Sequence, residues 1–118
     1  MQESGENYLE TIYLLSQKKQ GVHALDVAKA LNFSKPSVTR AMGILKNRGF
    51  IIIDELKHII LTDKGLSKAK EIHERHEIIE AFFIKLGVSK EIATKDACRV
   101  EHDISEETFE AIKKFVDG

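Results

Sequence analysis

The sequence predicts a mainly α-helical protein interrupted by one short β-hairpin. Two observations carry this. Apolar residues recur at helical spacing along most of the chain, in segments opened by Ser34, Thr62, Ser89 and Ser105 and closed by Gly21, Gly49 and Gly87. The exception is the stretch 50–61, where two isoleucine-rich runs flank a polar centre. A length of 118 residues bounds the chain to one domain, or two small subdomains sharing a core.

Each element has a local reason. Residues 5–19 place Tyr8, Ile12 and Leu15 on one helical face, and Gly21 ends the helix. Residues 24–31 (ALDVAKAL) form a short second helix, with Leu25, Ala28 and Leu31 expected inward. Asn32-Phe33 is a break. Ser34 is an N-cap residue and Pro36 suits a first helical turn, so a third helix runs to about Arg48 with Gly49 as its C-cap. Its buried face is Val38, Met42 and Leu45. The runs 50–53 and 59–61 around Asp54–His58 predict the hairpin. Thr62 caps a long helix over about 63–86, Ser89 a fifth helix to about Ile104, and Ser105 a sixth.

Three helices followed by a hairpin is the order of a winged helix-turn-helix, in which the third helix enters the DNA major groove. The expected architecture is a mainly α chain with a winged helix-turn-helix over 1–62, followed over 63–118 by three further helices that a winged helix does not need and that serve dimerisation or sensing. The net charge of −1 gives no global nucleic-acid signature, but residues 29–49 contain five bases and no acid. Ser34, Ser37 and Thr39 offer hydroxyls, while Lys35 and Arg40 offer charge beside Pro36. Arg40 can pair with guanine, and Lys57 and His58 at the hairpin tip can reach a flanking phosphate. The plain alternative is a solvated helix face.

The second half carries Cys98-x-x-Glu101-His102, whose i, i+3, i+4 spacing puts a thiol, a carboxylate and an imidazole on one helical face. His76 and Glu80 are i and i+4 on the long helix; Asn7 and Glu10 are i and i+3 on the first. Such mixed donors suit Fe²⁺, Co²⁺, Ni²⁺ or Zn²⁺ better than Mg²⁺ or Ca²⁺. Taken singly, each has a plainer reading: a buried thiol, a surface histidine, solvated glutamates. No apolar run reaches membrane-span length, and the acidic start, MQESGENYLE, is not a signal peptide. The lone cysteine fits a reducing cytoplasm.

The chain resembles the DtxR/MntR family of metal-dependent transcriptional repressors. The resemblance rests on Glu6-Asn7-Tyr8-Leu9-Glu10-Thr11-Ile12-Tyr13, Ser34-Lys35-Pro36-Ser37-Val38-Thr39, Leu61-Thr62-Asp63-Lys64-Gly65, Arg75-His76-Glu77 and Ala97-Cys98-Arg99-Val100-Glu101-His102. It implies a cytoplasmic homodimer, without a membrane role, that binds a palindromic double-stranded operator with Fe²⁺ or Mn²⁺ as co-repressor and controls metal-uptake genes. It implies one iron-type site on Asn7, Cys98, Glu101 and His102, and a second on His76 and Glu80. Manganese-type members also use the position of Glu10 and carry a carboxylate where this chain has Cys98. Asn7 stands where the family has Met or Asp, and Thr94 where iron-type members have a further histidine. The expected form is the short one, without an SH3-like domain.

The thiolate of Cys98 argues for iron over manganese, with Zn²⁺, Co²⁺ and Ni²⁺ binding in a test tube. Metal held by helices 1, 4 and 5 is expected to set the two reading helices about 34–36 Å apart, one DNA turn. Ile78, Ile79, Phe82, Phe83 and Leu86 are the expected dimer surface, with Phe109, Ile112 and Phe115 packing back on the core. Two rival readings stay open: a metal-independent winged-helix protein, and a metal-binding interaction module without DNA function. An enzyme is disfavoured, because the chain has no nucleophile–base pair, phosphate loop or His-Glu-x-x-His motif.

Overall fold

The computed structural model describes residues 3–118, with side chains from residue 5. It contains helices α1 (Glu3–Lys18), α2 (Ala24–Leu31) and α3 (Lys35–Asn47), strands β1 (Ile51–Ile53) and β2 (Ile59–Leu61), then α4 (Asp63–Lys85), α5 (Lys90–Val100) and α6 (Glu106–Asp117). The chain divides into two compact units, Met1–Lys70 and Glu71–Gly118, with the division falling inside α4.

The first unit closes around Leu9, Ile12, Val27, Val38, Met42, Leu45, Ile51 and Ile59. Six of these are β-branched or leucine side chains at 0–3% exposure, so their burial supplies most of the unit's hydrophobic stabilisation. Leu25, expected inward, is instead 48% exposed, and Val27 is fully buried in its place. The segment ALDVAKAL holds two overlapping apolar stripes, and the start of the helix decides between them. Asp26 accepts a hydrogen bond from the His23 N–H (2.8 Å), which fixes the first turn and with it the phase.

Asn32 turns the chain from α2 to α3 in a left-handed conformation (φ 56°), which asparagine tolerates. Ser34 caps α3, accepting from the Ser37 N–H at 3.3 Å, and Pro36 sits in the first turn. Arg48 is the C-cap, and Gly49 follows it at φ +82°. The hairpin is antiparallel, pairing Ile51 with Leu61, Ile52 with Ile60 and Ile53 with Ile59. Ile51 and Ile59 point into the core, whereas Ile52 and Ile60 are exposed.

A compact joint ties the end of α3 to the start of α4. Thr62 Oγ1 accepts from the Gly65 N–H and donates to the Gly49 carbonyl (2.6 Å). Lys64 Nζ donates to the Arg48 carbonyl (2.8 Å) and lies 4.4 Å from the Phe50 ring centre.

In the second unit, Ile79, Ala97 and Phe109 form the core, with Ile78, Phe83, Val100 and Ile104 packed against it. Ile79 is fully buried within this chain, so it is no part of an exposed interface. Phe115, expected to pack inward, is 49% exposed. Ser89 and Ser105 cap α5 and α6 through the N–H groups of Ile92 and Thr108. The fifth helix stops at Val100 rather than Ile104. Its reason lies in the loop that follows: Arg75 donates to the Ile104 carbonyl (3.2 Å), and Ser105 then starts a new helix.

Candidate metal centre and nucleic-acid interface

Within the second unit the metal-ligand candidates converge on His76. Its Nδ1 lies 2.9 Å from Glu101 Oε2, and its Nε2 lies 3.1 Å from Glu80 Oε2. Cys98 Sγ is 3.7 Å from the same Nδ1. His102 Nε2 stands 3.2 Å from Glu101 Oε1. Each position has a sequence cause. The i, i+4 spacing brings Glu80 to His76 along α4. Cys98 faces α4 from the last turn of α5, while Glu101 is its C-cap and His102 lies one residue beyond. The three residues of the Cys98 motif thus do converge, but across a helix end rather than on one continuous helical face.

Burial raises the electrostatic stakes. The Glu101 and His102 side chains are each 1% exposed, and that of His76 is 13% exposed. Carboxylates flank both ring nitrogens of His76, so both act as donors and the ring is an imidazolium. Contacts with Cys98 and Glu101 hold its pKa up at about 11, against the opposing effect of burial. A proton here does what a divalent cation does: it supplies positive charge among carboxylates and a thiol. The donor set of two imidazoles, two carboxylates and a thiol fits a borderline divalent transition metal.

Asn7 and Glu10 lie on α1 in the first unit, one turn apart and both half-buried, flanking the buried Tyr8-Leu9 pair. The Thr94 hydroxyl donates to the Lys90 carbonyl (2.8 Å), so it is engaged within its own helix.

In the first unit, Ser34, Lys35, Pro36, Ser37, Thr39 and Arg40 are all exposed along the opening turns of α3. Val38, between them, is fully buried and anchors that face. Lys35, Thr39 and Lys46 border a groove shared with Lys57 of the hairpin, over Met42 and Ile53. Exposed lysines beside a hydroxyl-rich first turn form a face suited to phosphate. His58, by contrast, turns away from the hairpin tip. Its ring meets Asp54 (3.1 Å) and packs edge-on to His23, with centroids 4.7 Å apart.

Sequence reasoning missed this His23–His58 contact and the Arg75 clamp. The i, i+3 and i, i+4 spacings of His23/Asp26 and Asp54/His58 were available signals; the contact between the two pairs was not.

A winged helix with a clustered thiol, imidazole and carboxylate centre defines the class of metal-responsive transcriptional regulators. Residues 1–59 match the iron-dependent repressor N-terminal DNA-binding domain, and residues 62–118 match the iron-dependent repressor metal-binding and dimerisation domain. The transcriptional regulator MntR of Escherichia coli O6:H1 is 37% identical over 110 residues, covering 93% of this chain and 71% of that protein. An uncharacterized HTH-type regulator of Methanocaldococcus jannaschii is 34% identical over 119 residues, covering 99% of this chain and 95% of that one. Among solved structures, the metal-dependent regulator MtsR superposes with a TM-score of 0.89 at 27% identity, and the manganese regulator SloR with 0.85 at 26%. Each alignment covers 96% of this chain and 53% of the other, so this chain spans about half the length of those regulators.

The chain belongs to the iron-dependent repressor family, that of DtxR and MntR. Members of this family are transcriptional regulators rather than enzymes. Among the described residues, no helix is long and apolar enough to cross a membrane.

Proposed function

We propose that this chain is a cytoplasmic, metal-dependent repressor that binds a palindromic operator as a homodimer and controls metal-uptake genes, with Fe²⁺ as co-repressor. The observation that carries this is the convergence of Cys98, Glu101 and Glu80 on His76. In the proposed site these residues and His102 hold the cation; Asn7 and Glu10 of α1 are proposed as further ligands on the family resemblance alone. A divalent cation there supplies the positive charge that the His76 proton supplies without it. Cys98 is the reason to favour Fe²⁺, since manganese stands lowest in the affinity order for soft donors. Asn7 is a neutral donor and lowers affinity relative to a carboxylate.

The division of labour places DNA binding in residues 1–62 and metal binding and dimerisation in 63–118. Ser34, Lys35, Pro36, Ser37, Thr39 and Arg40 form the surface that meets the major groove, and Lys57 meets a flanking phosphate. Half-buried Phe82 and exposed Ile84 on α4, with exposed Leu86 just beyond its end, are the apolar residues proposed to meet a second copy.

Mn²⁺ is the second reading. It is favoured by the similarity to MntR and to the manganese regulator SloR, and by the two glutamates beside His76.

The test is an anaerobic fluorescence-anisotropy titration onto the chain's own upstream DNA, with no metal, with Fe²⁺ and with Mn²⁺, at fixed salt. The proposal expects Fe²⁺ to tighten binding and Cys98→Ala to abolish that gain. Tightening by Mn²⁺ that survives Cys98→Ala selects the manganese reading. Equal affinity in all three conditions refutes metal control.

A further inference from the structure

The hairpin has three residues in each strand, and a two-stranded ribbon of that length is marginal in water. Contacts outside its own ladder therefore decide how well its tip is placed. One is a backbone bond from the Ile59 N–H to the Val22 carbonyl (2.7 Å), joining β2 to the segment before α2. The other is a chain of side chains that begins inside the tip. Asp54 Oδ1 accepts from the N–H groups of Leu56 (2.9 Å) and His58 (2.8 Å), while its Oδ2 meets His58 Nδ1 (3.1 Å).

The chain continues beyond the hairpin. The His58 ring packs edge-on to His23. Asp26 accepts from the His23 N–H and from Lys19 Nζ (3.0 Å), and lies 3.7 Å from His23 Nδ1. Lys19, Asp26, His23, His58 and Asp54 thus run unbroken from the end of α1 to the wing tip. Gly21 makes room for the joint: its φ is +75°, and a Cβ there would stand 2.6 Å from His58 Nε2. Both carboxyls are held below the usual carboxylate range, Asp54 first by the His58 N–H and Asp26 first by the His23 N–H.

Lys57 sits between these restraints. Its N–H donates to the Asp54 carbonyl (3.0 Å), its φ is +66°, and its side chain is exposed. A long lysine on a marginal hairpin loses entropy when it meets a phosphate; a tip already fixed reduces that cost.

We propose that His23 and His58 form a staple between the α1–α2 connection and the wing, and that its role is to position Lys57 for a DNA phosphate. Both histidines are positioning residues that act through Lys57. The inference rests on the DNA-binding reading given above.

The test compares the salt dependence of DNA binding, anaerobically with excess Fe²⁺ and in parallel with excess Mn²⁺, for the wild-type chain, His23→Ala, His58→Ala, Lys57→Ala and the Lys57→Ala/His58→Ala double variant. Removing one lysine–phosphate pair lowers the slope of log K against log salt by about 0.9, so the two wings of a dimer account for about 1.8. Between 50 and 200 mM salt each single variant then loses about 12-fold less affinity than the wild type does. The double variant should match Lys57→Ala alone. An unchanged slope in His23→Ala and His58→Ala, or additive effects in the double variant, overturns the staple.

Amide hydrogen exchange without DNA separates this inference from the DNA reading. His23 lies 46% exposed at its side chain, so His23→Ala is the variant that leaves the core intact. The staple requires exchange at Lys57 and Ile59 to speed up at least tenfold in that variant; unchanged exchange refutes it. Absence of DNA binding by the wild-type chain removes the DNA reading itself, and with it the role assigned to Lys57.

Discussion

Gly65→Ala is a substitution for which helix propensity and packing predict opposite signs. Gly65 lies in the first turns of α4, where alanine is favoured over glycine by about 1 kcal/mol. Its position against the end of α3 reverses this. A Cβ at Gly65 would overlap the Phe50 carbonyl oxygen, come within 2.9 Å of that carbonyl carbon, and crowd the Leu61 side chain. The obstacle is backbone, so no side-chain rotation relieves it. Moving α4 away stretches the Thr62 hydroxyl bond to the Gly49 carbonyl and the Thr62 N–H bond to the Phe50 carbonyl. Those two bonds are worth about 1 kcal/mol each, and residual overpacking adds about 1–3 kcal/mol. After the propensity gain, the net loss is about 2–4 kcal/mol. At roughly 4 °C per kcal/mol for a chain of this size, the melting temperature falls by roughly 8–16 °C. Thermal denaturation followed by circular dichroism at 222 nm reads this directly. A melting temperature equal to or above that of the wild type refutes the close contact between α4 and the Phe50 carbonyl.

Glu101→Gln preserves shape but removes the buried charge beside His76; metal affinity by competition with a chelator should fall by at least roughly 100-fold, more than loss of an outer-shell partner costs. In the metal-free chain the folded His76 pKa, at about 11, lies above the ordinary 6.5. Its stabilisation is therefore complete below pH 6.5 and is lost as pH rises towards 11, which NMR titration of the ring and melting at pH 6 and 9.5 will follow. Ser34→Ala removes the α3 cap and should cost about 1 kcal/mol in urea denaturation. Leu9→Ala, at a fully buried position, should cost about 2–5 kcal/mol, whereas Leu25→Ala should stay within about 0.5–1 kcal/mol, because that side chain is half in water.

The parts of the fold legible in the sequence are those whose chemistry is local. Ser34 and Pro36 announce the start of α3 because cap and fixed φ act within one turn. The isoleucine runs announce the hairpin because β-branched residues flank a polar turn. The donors around His76 were legible in pairs, since i, i+3 and i, i+4 spacings imply a shared face. What failed depended on distant partners. Nothing between Val100 and Ile104 breaks a helix by composition; the Arg75 bond to the Ile104 carbonyl, 29 residues away in sequence, accompanies the end of α5. The helix of Leu25 carried two apolar stripes, and only the first-turn bond to Asp26 and the surrounding core separate them. Ile79 read as interface because α4 has apolar residues on more than one side, and packing against Ala97 and Phe109 settles which side is inside. His58 read as a tip residue because its partner His23 is far along the chain.

Coupling between metal and DNA is the central claim, and linkage makes it measurable from either side. The most direct measurement is the affinity of the chain for Fe²⁺, anaerobically, with and without saturating operator DNA. The account predicts that DNA tightens Fe²⁺ binding by the same factor by which Fe²⁺ tightens DNA binding, and that Glu101→Gln abolishes both. An Fe²⁺ affinity unchanged by DNA would contradict it.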